Sequence, residues 1–389
     1  MRITDVEAIV LDTGKDYANP AGASEAHGVR FVTLIAVHTD EGITGWSDVE
    51  TQPHTGHAIV NAPSSGVVGF ESLRAALIGE NPLERERLWQ KAYRFMAYYG
   101  RQGAGMHMLS GVDIALWDIA GKAFGVPVNQ LLGACYRPQV KGYASTLFRP
   151  TPDAMKQAVS EYLEHGFRAI KFGWGAFGYD LARDLALVRA AREEAGPEID
   201  LMVDAGWYGT TVADPFRSRT IRDWTILAQA LEALGVYWLE DFLHPENIEG
   251  MRQVSEACTT LRTAAGEQLS GYAEFERLAV EGHADVLQPD LSRCGGLTVG
   301  KQIADLAMRR QIACVPHAWL TDLLKAASLH LNAYLMEAHY LEYNVSSGSL
   351  LTTLCTEPIT MQDGYIAVPT GPGLGVEVDP AVIARYRVL

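Results

Sequence analysis

Seven residues of this 389-residue chain place ionisable side chains at the ends of short apolar runs. Three are carboxylates that close successive runs. Asp204 closes Leu201-Met202-Val203-Asp204, Glu240 closes Val236-Tyr237-Trp238-Leu239-Glu240, and Glu267 closes Thr263-Ala264-Ala265-Gly266-Glu267. Runs of this length, bounded by polar residues or glycine, read as buried parallel strands. Side by side, such strands bring their terminal carboxylates together. Three converging carboxylates repel one another unless a hard cation neutralises them, and Mg²⁺ takes oxygen ligands of this kind. The other four are Lys171, Asp290 in Gln288-Pro289-Asp290, His317 in Val315-Pro316-His317 and Glu342 in Tyr340-Leu341-Glu342-Tyr343. Singly, each has an ordinary explanation as a loop acid, a salt-bridged lysine or a structural histidine. Jointly, ionisable groups at successive strand ends point to a shared site on the face where barrel enzymes do chemistry.

The elements that must hold these residues follow from periodicity. The pattern predicts strands at 140–145, 169–172, 200–204, 236–240, 262–265, 286–289, 312–316 and 340–343, with helices between most of them, such as 152–165, 181–195 and 225–234. Eight strands in a repeating strand–helix unit predict a closed barrel. No GxGxxG follows a strand, which argues against a dinucleotide fold. Before the barrel, 3–11, 31–37 and 44–48 read as strands, with a turn at Asp40-Glu41-Gly42. Helical spacing then runs from 64 to 123. Its clearest part, 110–123, is too apolar for a surface helix and ends at Gly125 and Pro127. Two stretches read as loops, 13–28 and 50–57, and each serves equally as a surface connection or an arm into a site. The tail from 356 has strand pattern and is expected to pack on the first domain.

Composition excludes several classes. With 48% hydrophobic and 20% charged residues the chain is an ordinary globular protein. A formal charge of −15 argues against nucleic acid or an anionic membrane as partner. Five scattered cysteines without a CxxC pair read as reduced thiols of a cytoplasmic protein. No apolar run reaches the length of a signal peptide or membrane span.

The chain resembles the enolase superfamily, and within it the mandelate racemase subgroup of acid-sugar dehydratases and racemases. The resemblance is carried by Ser110-Gly111-Val112-Asp113-Ile114-Ala115-Leu116-Trp117-Asp118, Ala169-Ile170-Lys171, Val203-Asp204, Trp238-Leu239-Glu240, Ala265-Gly266-Glu267, Gln288-Pro289-Asp290, Pro316-His317, Leu341-Glu342 and the closing Gly371-Pro372-Gly373-Leu374-Gly375. It covers essentially the whole chain. It implies an α/β architecture in three parts: an α+β capping domain at 1–127, a (β/α)7β TIM-like barrel at 128–355, and a segment at 356–389 that returns to the capping domain. It implies symmetric homo-oligomers.

The resemblance also implies roles. Asp204, Glu240 and Glu267 would ligate Mg²⁺. Lys171 would donate to the substrate carboxylate, and His317, paired with Asp290, would be the base. Glu342 would be protonated, its pKa raised by burial, and would donate to the developing enediolate. One departure bears on the reaction. Family members with two-sided chemistry carry Lys-x-Lys on the second strand, whereas this chain reads Lys171-Phe172-Gly173-Trp174. Without a base on the opposite face racemisation is disfavoured, while elimination needs only one base. Glu240 is followed by Asp241-Phe242, where Glu-Pro is usual, and Gly206 stands where many relatives have Asn. Trp174, Trp207 and Trp319, just beyond strand ends, either narrow the pocket or pack under the cap. Lys15, His27 and His54 either contact a distal group of the substrate or face solvent. The expectation is a Mg²⁺-dependent lyase that dehydrates a small sugar acid to a 2-keto-3-deoxy acid. The alternatives are a cycloisomerase opening a lactone or anhydro ring, a racemase or epimerase, and an inactive scaffold.

Overall fold

The structure, a computed structural model, describes residues 1–14, 30–206, 219–337, 339–345 and 349–389. Lys15, His27 and Trp207 lie outside the described residues. The chain opens with an antiparallel sheet of three strands, β1 (Ile3–Asp12), β2 (Phe31–Thr39) and β3 (Thr44–Val49), in that order. Gly42, at φ +78°, makes the turn between β2 and β3. Successive side chains of a strand point to opposite faces, and here both faces are buried. Val32, Leu34 and Ala36 join the core that runs into the barrel, while Ile35 and Val37 join a second core under the capping helices. The helix Ala104–Phe124 is shared in the same way, with Ile114 and Trp117 in the first core and Val112, Ala115 and Ile119 in the second. It approaches β3 so closely that a Cβ on Gly45 would lie 2.1 Å from the Ala115 carbonyl oxygen. Gly125, in the left-handed conformation, ends the helix.

The stretch 50–57 is a loop only as far as residue 52. Gln52 caps the helix Pro53–Asn61 by accepting from the Thr55 N–H, and Pro53 suits the first helical turn. Its polar, glycine-containing composition hides a helix whose Gly56 and Val60 are buried.

The barrel follows with eight strands, β4 (Gln139–Leu147), β5 (Ala169–Gly173), β6 (Asp200–Asp204), β7 (Trp238–Glu240), β8 (Arg262–Ala265), β9 (Val286–Leu287), β10 (Ala313–Cys314) and β11 (Leu341–Asn344). Each falls on an expected strand, and β4 to β10 pair in sequence order, all parallel, with β11 back on β4. Helices cross over between them. The interior is filled by one side chain from each strand or its flank: Tyr143, Ala169, Met202, Trp238, Ala264, Val286, Val315 and Tyr340. Aromatic rings pack edge-on here, with Tyr143 and Trp238 5.5 Å apart, so the barrel floor is solid and chemistry is confined to the mouth.

After the barrel, β12 (Met361–Gln362) and β13 (Tyr365–Ala367) form a hairpin whose second strand pairs antiparallel with β4. The chain then returns to the cap. Leu374 N–H donates to Asp118, and Arg387 forms an antiparallel bridge with Leu11 of β1. Among the described residues no helix is long and apolar enough to cross a membrane.

Buried carboxylates join the two domains. Asp113 accepts from the Thr298 N–H and hydroxyl at 2.8 and 2.6 Å. Asp48 accepts from the Thr321 N–H and hydroxyl at 2.9 and 2.6 Å, and its other oxygen is unpartnered. Burial pushes Asp48 up to about 7, against the hydrogen bonds from Thr321. The folded state therefore holds this proton more tightly than the unfolded chain. The resulting stability is fully present below about pH 4 and is lost as pH rises toward 7. Asp48→Asn keeps an acceptor for Thr321 and removes the titration. Relative to wild type it should gain up to about 4 kcal/mol between pH 4 and pH 7 in urea unfolding, and parallel pH profiles would sink the assignment.

Candidate active site

Strand register sets the height of the site. Gly173 pairs with Asp204, and Asp204 with Glu240, so the ends of β5, β6 and β7 stand abreast. Glu267 lies just beyond β8, Asp290 beyond β9 and His317 beyond β10, where Asp290 and His317 form an isolated parallel bridge. Lys171 and Glu342 project from within β5 and β11. The structure thus brings all seven strand-end residues together, six of them buried and Glu267 14% exposed.

Lys171 is wedged among acids. Its Nζ lies 2.5 Å from Glu240, 3.0 Å from Glu342 and 4.0 Å from Asp204. Burial opposes its charge, but Glu240 and Glu342 hold its pKa well above the ordinary value. Glu240 also accepts from the Trp238 indole at 2.8 Å. On the other side, His317 Nδ1 sits 2.8 Å from Asp290, whose second oxygen accepts from the Ser292 N–H and hydroxyl. Burial works against the charge on Asp290, yet Arg293 and His317 keep it below the usual carboxylate range. An ionised Asp290 can only accept, so Nδ1 carries a proton and Nε2 is the nitrogen turned to the cluster. Nε2 lies 3.0 Å from Glu267 and 3.7 Å from Glu342.

Glu342 departs from expectation. Burial does raise its pKa, but Lys171 and His317 outweigh burial, and the Ala318 N–H and Ser145 hydroxyl add to them. Glu342 is therefore held below the ordinary range, as an anion that receives hydrogen bonds, and not as the protonated donor expected from burial alone. Two nearby cations at 3.0 and 3.7 Å defeat desolvation.

Other candidates divide. Trp174 is half-buried and left-handed at φ +48°, and its ring packs so tightly on Gly206 that a Cβ there would lie 2.6 Å away. Trp319, two residues past His317, is half-buried and its carbonyl accepts from Asn344 at 3.2 Å. Both stand at the rim. His54 is exposed in the first turn of its helix, edge-on to Phe31, and is not brought to the cluster.

Three members of the cluster were missed. Arg293 is buried with its guanidinium 2.5 Å from Glu50, 3.6 Å from Asp290 and 3.7 Å from Glu267. Glu50 comes from the capping domain. Asp241, directly after Glu240, is buried, and one of its oxygens accepts no hydrogen bond. Spacing gave a signal only for Arg293, three residues past Asp290, and for Asp241, which replaces a usual glutamate.

The donor set suits a hard cation. Burial raises Asp204, and Glu240 and Glu267 add to the shift. Burial raises Asp241 too, with Glu267 and Asp204 acting in the same direction. The cluster therefore carries more negative charge than Lys171 neutralises, and all its donors are carboxylate oxygens, the ligands of Mg²⁺. Glu50, Asp290 and His317 also offer donor atoms within 4.8 Å of one another. There the guanidinium of Arg293 already supplies the positive charge.

Two domain families match this chain. Residues 154–382 match the enolase C-terminal domain-like family, and residues 6–133 match the mandelate racemase / muconate lactonizing enzyme N-terminal domain. The chain is 30% identical to D-galactarolactone cycloisomerase of Agrobacterium fabrum, covering 100% of this chain and 99% of that protein. It is 32% identical to D-galactonate dehydratase of Xanthomonas oryzae pv. oryzae over 90% of each. The crystal structure of the 3,6-anhydro-D-galactonate cycloisomerase from Zobellia galactanivorans superposes with a TM-score of 0.85 at 27% identity, covering 100% of both chains.

The charge network makes its own prediction. Arg293→Met leaves the buried Asp290 and the partly buried Glu50 and Glu267 with one cation fewer. Urea unfolding should show a loss of about 3 kcal/mol or more. A variant as stable as wild type would mean that the guanidinium is not what holds these carboxylates.

Proposed function

The chain belongs to the mandelate racemase / muconate lactonizing enzyme family of the enolase superfamily, and on that premise we propose that it is a Mg²⁺-dependent enzyme that removes the α-proton of a sugar-acid carboxylate and expels the oxygen on the β-carbon. The product is a 2-keto-3-deoxy acid. The observation that carries this reading is the His317–Asp290 pair facing the carboxylate cluster, with glycine on the opposite side. A Cβ on Gly173 would lie 2.8 Å from an Asp204 carboxylate oxygen, so a second base cannot stand there while Asp204 keeps its place.

Asp204, Glu240 and Glu267 would hold Mg²⁺, which when bound neutralises the cluster and draws off the charge that builds on the substrate carboxylate. Lys171 orients that carboxylate from the β5 side. With Nε2 deprotonated, His317 takes the α-proton there, because Nδ1 is already committed to Asp290. Asp290 fixes the ring and stabilises the imidazolium. Glu342, as an anion, steadies both Lys171 and the imidazolium. The half-buried rings of Trp174 and Trp319 narrow access at the rim.

The leaving oxygen distinguishes two forms of the reaction. A β-hydroxyl needs a proton, which the imidazolium can return on the same face, and the result is dehydration. A ring oxygen gives cycloisomerisation. When that ring is a lactone the leaving group is a carboxylate and needs no proton, which suits a site with one proton-transfer group. Similarity over the whole chain to cycloisomerases supports this second form. Incubation with Mg²⁺ and a panel of sugar acids, lactones and anhydro acids, scored for keto-acid formation, separates them.

His317→Asn should lose elimination by at least about 10³-fold. Solvent exchange of the α-proton in D₂O, read by NMR, should fall with it. Deuterium should enter the wild-type product from one face only. Exchange that survives in His317→Asn would show a second base and return epimerisation as the reaction.

A further inference from the structure

Asp241 has no role in the mechanism above, yet its backbone and its burial are both unusual. Directly after Glu240 the chain turns left-handed, with Asp241 at φ +45°, a conformation that costs free energy in a residue with a side chain. The turn does not release the strand, because the Asp241 N–H still donates to Ala264 at 3.2 Å. The side chain is 8% exposed, and its Oδ2 accepts no hydrogen bond. Asp241 stands between Glu240, its neighbour in the chain, and the end of β8, which Glu267 follows. A buried carboxylate with one oxygen unpartnered, crowded by other acids, is destabilising in the absence of a cation.

Resting on the reading that Asp204, Glu240 and Glu267 hold Mg²⁺, we infer that Asp241 is a fourth acidic group of that metal centre, kept buried with one oxygen unpartnered so that its charge acts on the divalent cation. The competing account is a structural aspartate satisfied by water. A cavity of about 20 Å³ beside Asp241, Gly266 and Gln268 has room for one. The two accounts differ in sign. A structural aspartate stabilises the metal-free protein. A fourth acid of the metal centre destabilises it and is stabilised when the cation binds.

The test is Asp241→Asn, with calorimetric Mg²⁺ titration and thermal unfolding of EDTA-treated protein with and without added Mg²⁺. Mg²⁺ affinity should fall by about 10-fold or more. The melting temperature of the metal-free variant should rise above wild type, and the Mg²⁺-induced shift should shrink. Asp241→Glu, which keeps the charge, should retain affinity within a few-fold. Wild-type affinity in Asp241→Asn, a lowered metal-free melting temperature, or failure of that variant to fold would each overturn the inference. Wild-type protein that binds no Mg²⁺ would instead overturn the metal reading itself, and the same titration distinguishes the two.

Discussion

Six carboxylates at the barrel mouth, Asp204, Glu240, Asp241, Glu267, Asp290 and Glu342, are withdrawn from water within reach of one another. Out of water, an uncompensated charge costs several kcal/mol, so the position of every nearby cation is dictated. Lys171 lies between Glu240 and Glu342, His317 between Asp290 and Glu267, and Arg293 against Asp290, Glu267 and Glu50. The local backbone follows from the same crowding. Gly173 is bare because Asp204 fills the space beside it, and Trp174 and Asp241 turn left-handed directly after their strands. Strain of this kind persists where surrounding structure over-determines it, and here the surroundings are a solid aromatic floor and two packed domains.

The capping domain is part of this arrangement. Its middle strand faces two cores at once, so it cannot slide on the barrel without exposing apolar side chains on one side. Buried carboxylates fix the join, each receiving two hydrogen bonds from a threonine of the barrel. Glu50 then carries the cap into the catalytic neighbourhood through Arg293. A change in the seating of the cap is therefore felt at His317, through Arg293 and Asp290.

Much of this was legible in the chain. The eight barrel strands stood out because each is an apolar run that stops at a polar residue or glycine, and 110–123 because its apolar residues are too many and too widely spread for one face of a surface helix. The convergence of seven ionisable residues followed from strand ends alone. Other features were hidden for physical reasons. The helix Pro53–Asn61 is assembled from glycine, histidine and threonine, and is held by a glutamine cap and by packing of Gly56 against Met108. Glu50 and Arg293 meet across a domain boundary that no local pattern reports. Glu342 was misjudged because burial and neighbouring charge act in opposite directions, and only distances decide between them. His54 looked chemical by type, yet it sits on the outward side of its helix.

The return of the tail sets an order on synthesis. Val10 and Leu389 exchange hydrogen bonds with one another's neighbourhood, through Val10 N–H to Leu389 and Val388 N–H to Val10. The outer edge of β1 meets a partner made long after it, once the whole barrel has been synthesised. Until then the first domain carries an open strand edge, the feature through which nascent chains pair with the wrong neighbour. A chain that stops before Val388 is released with that edge still bare.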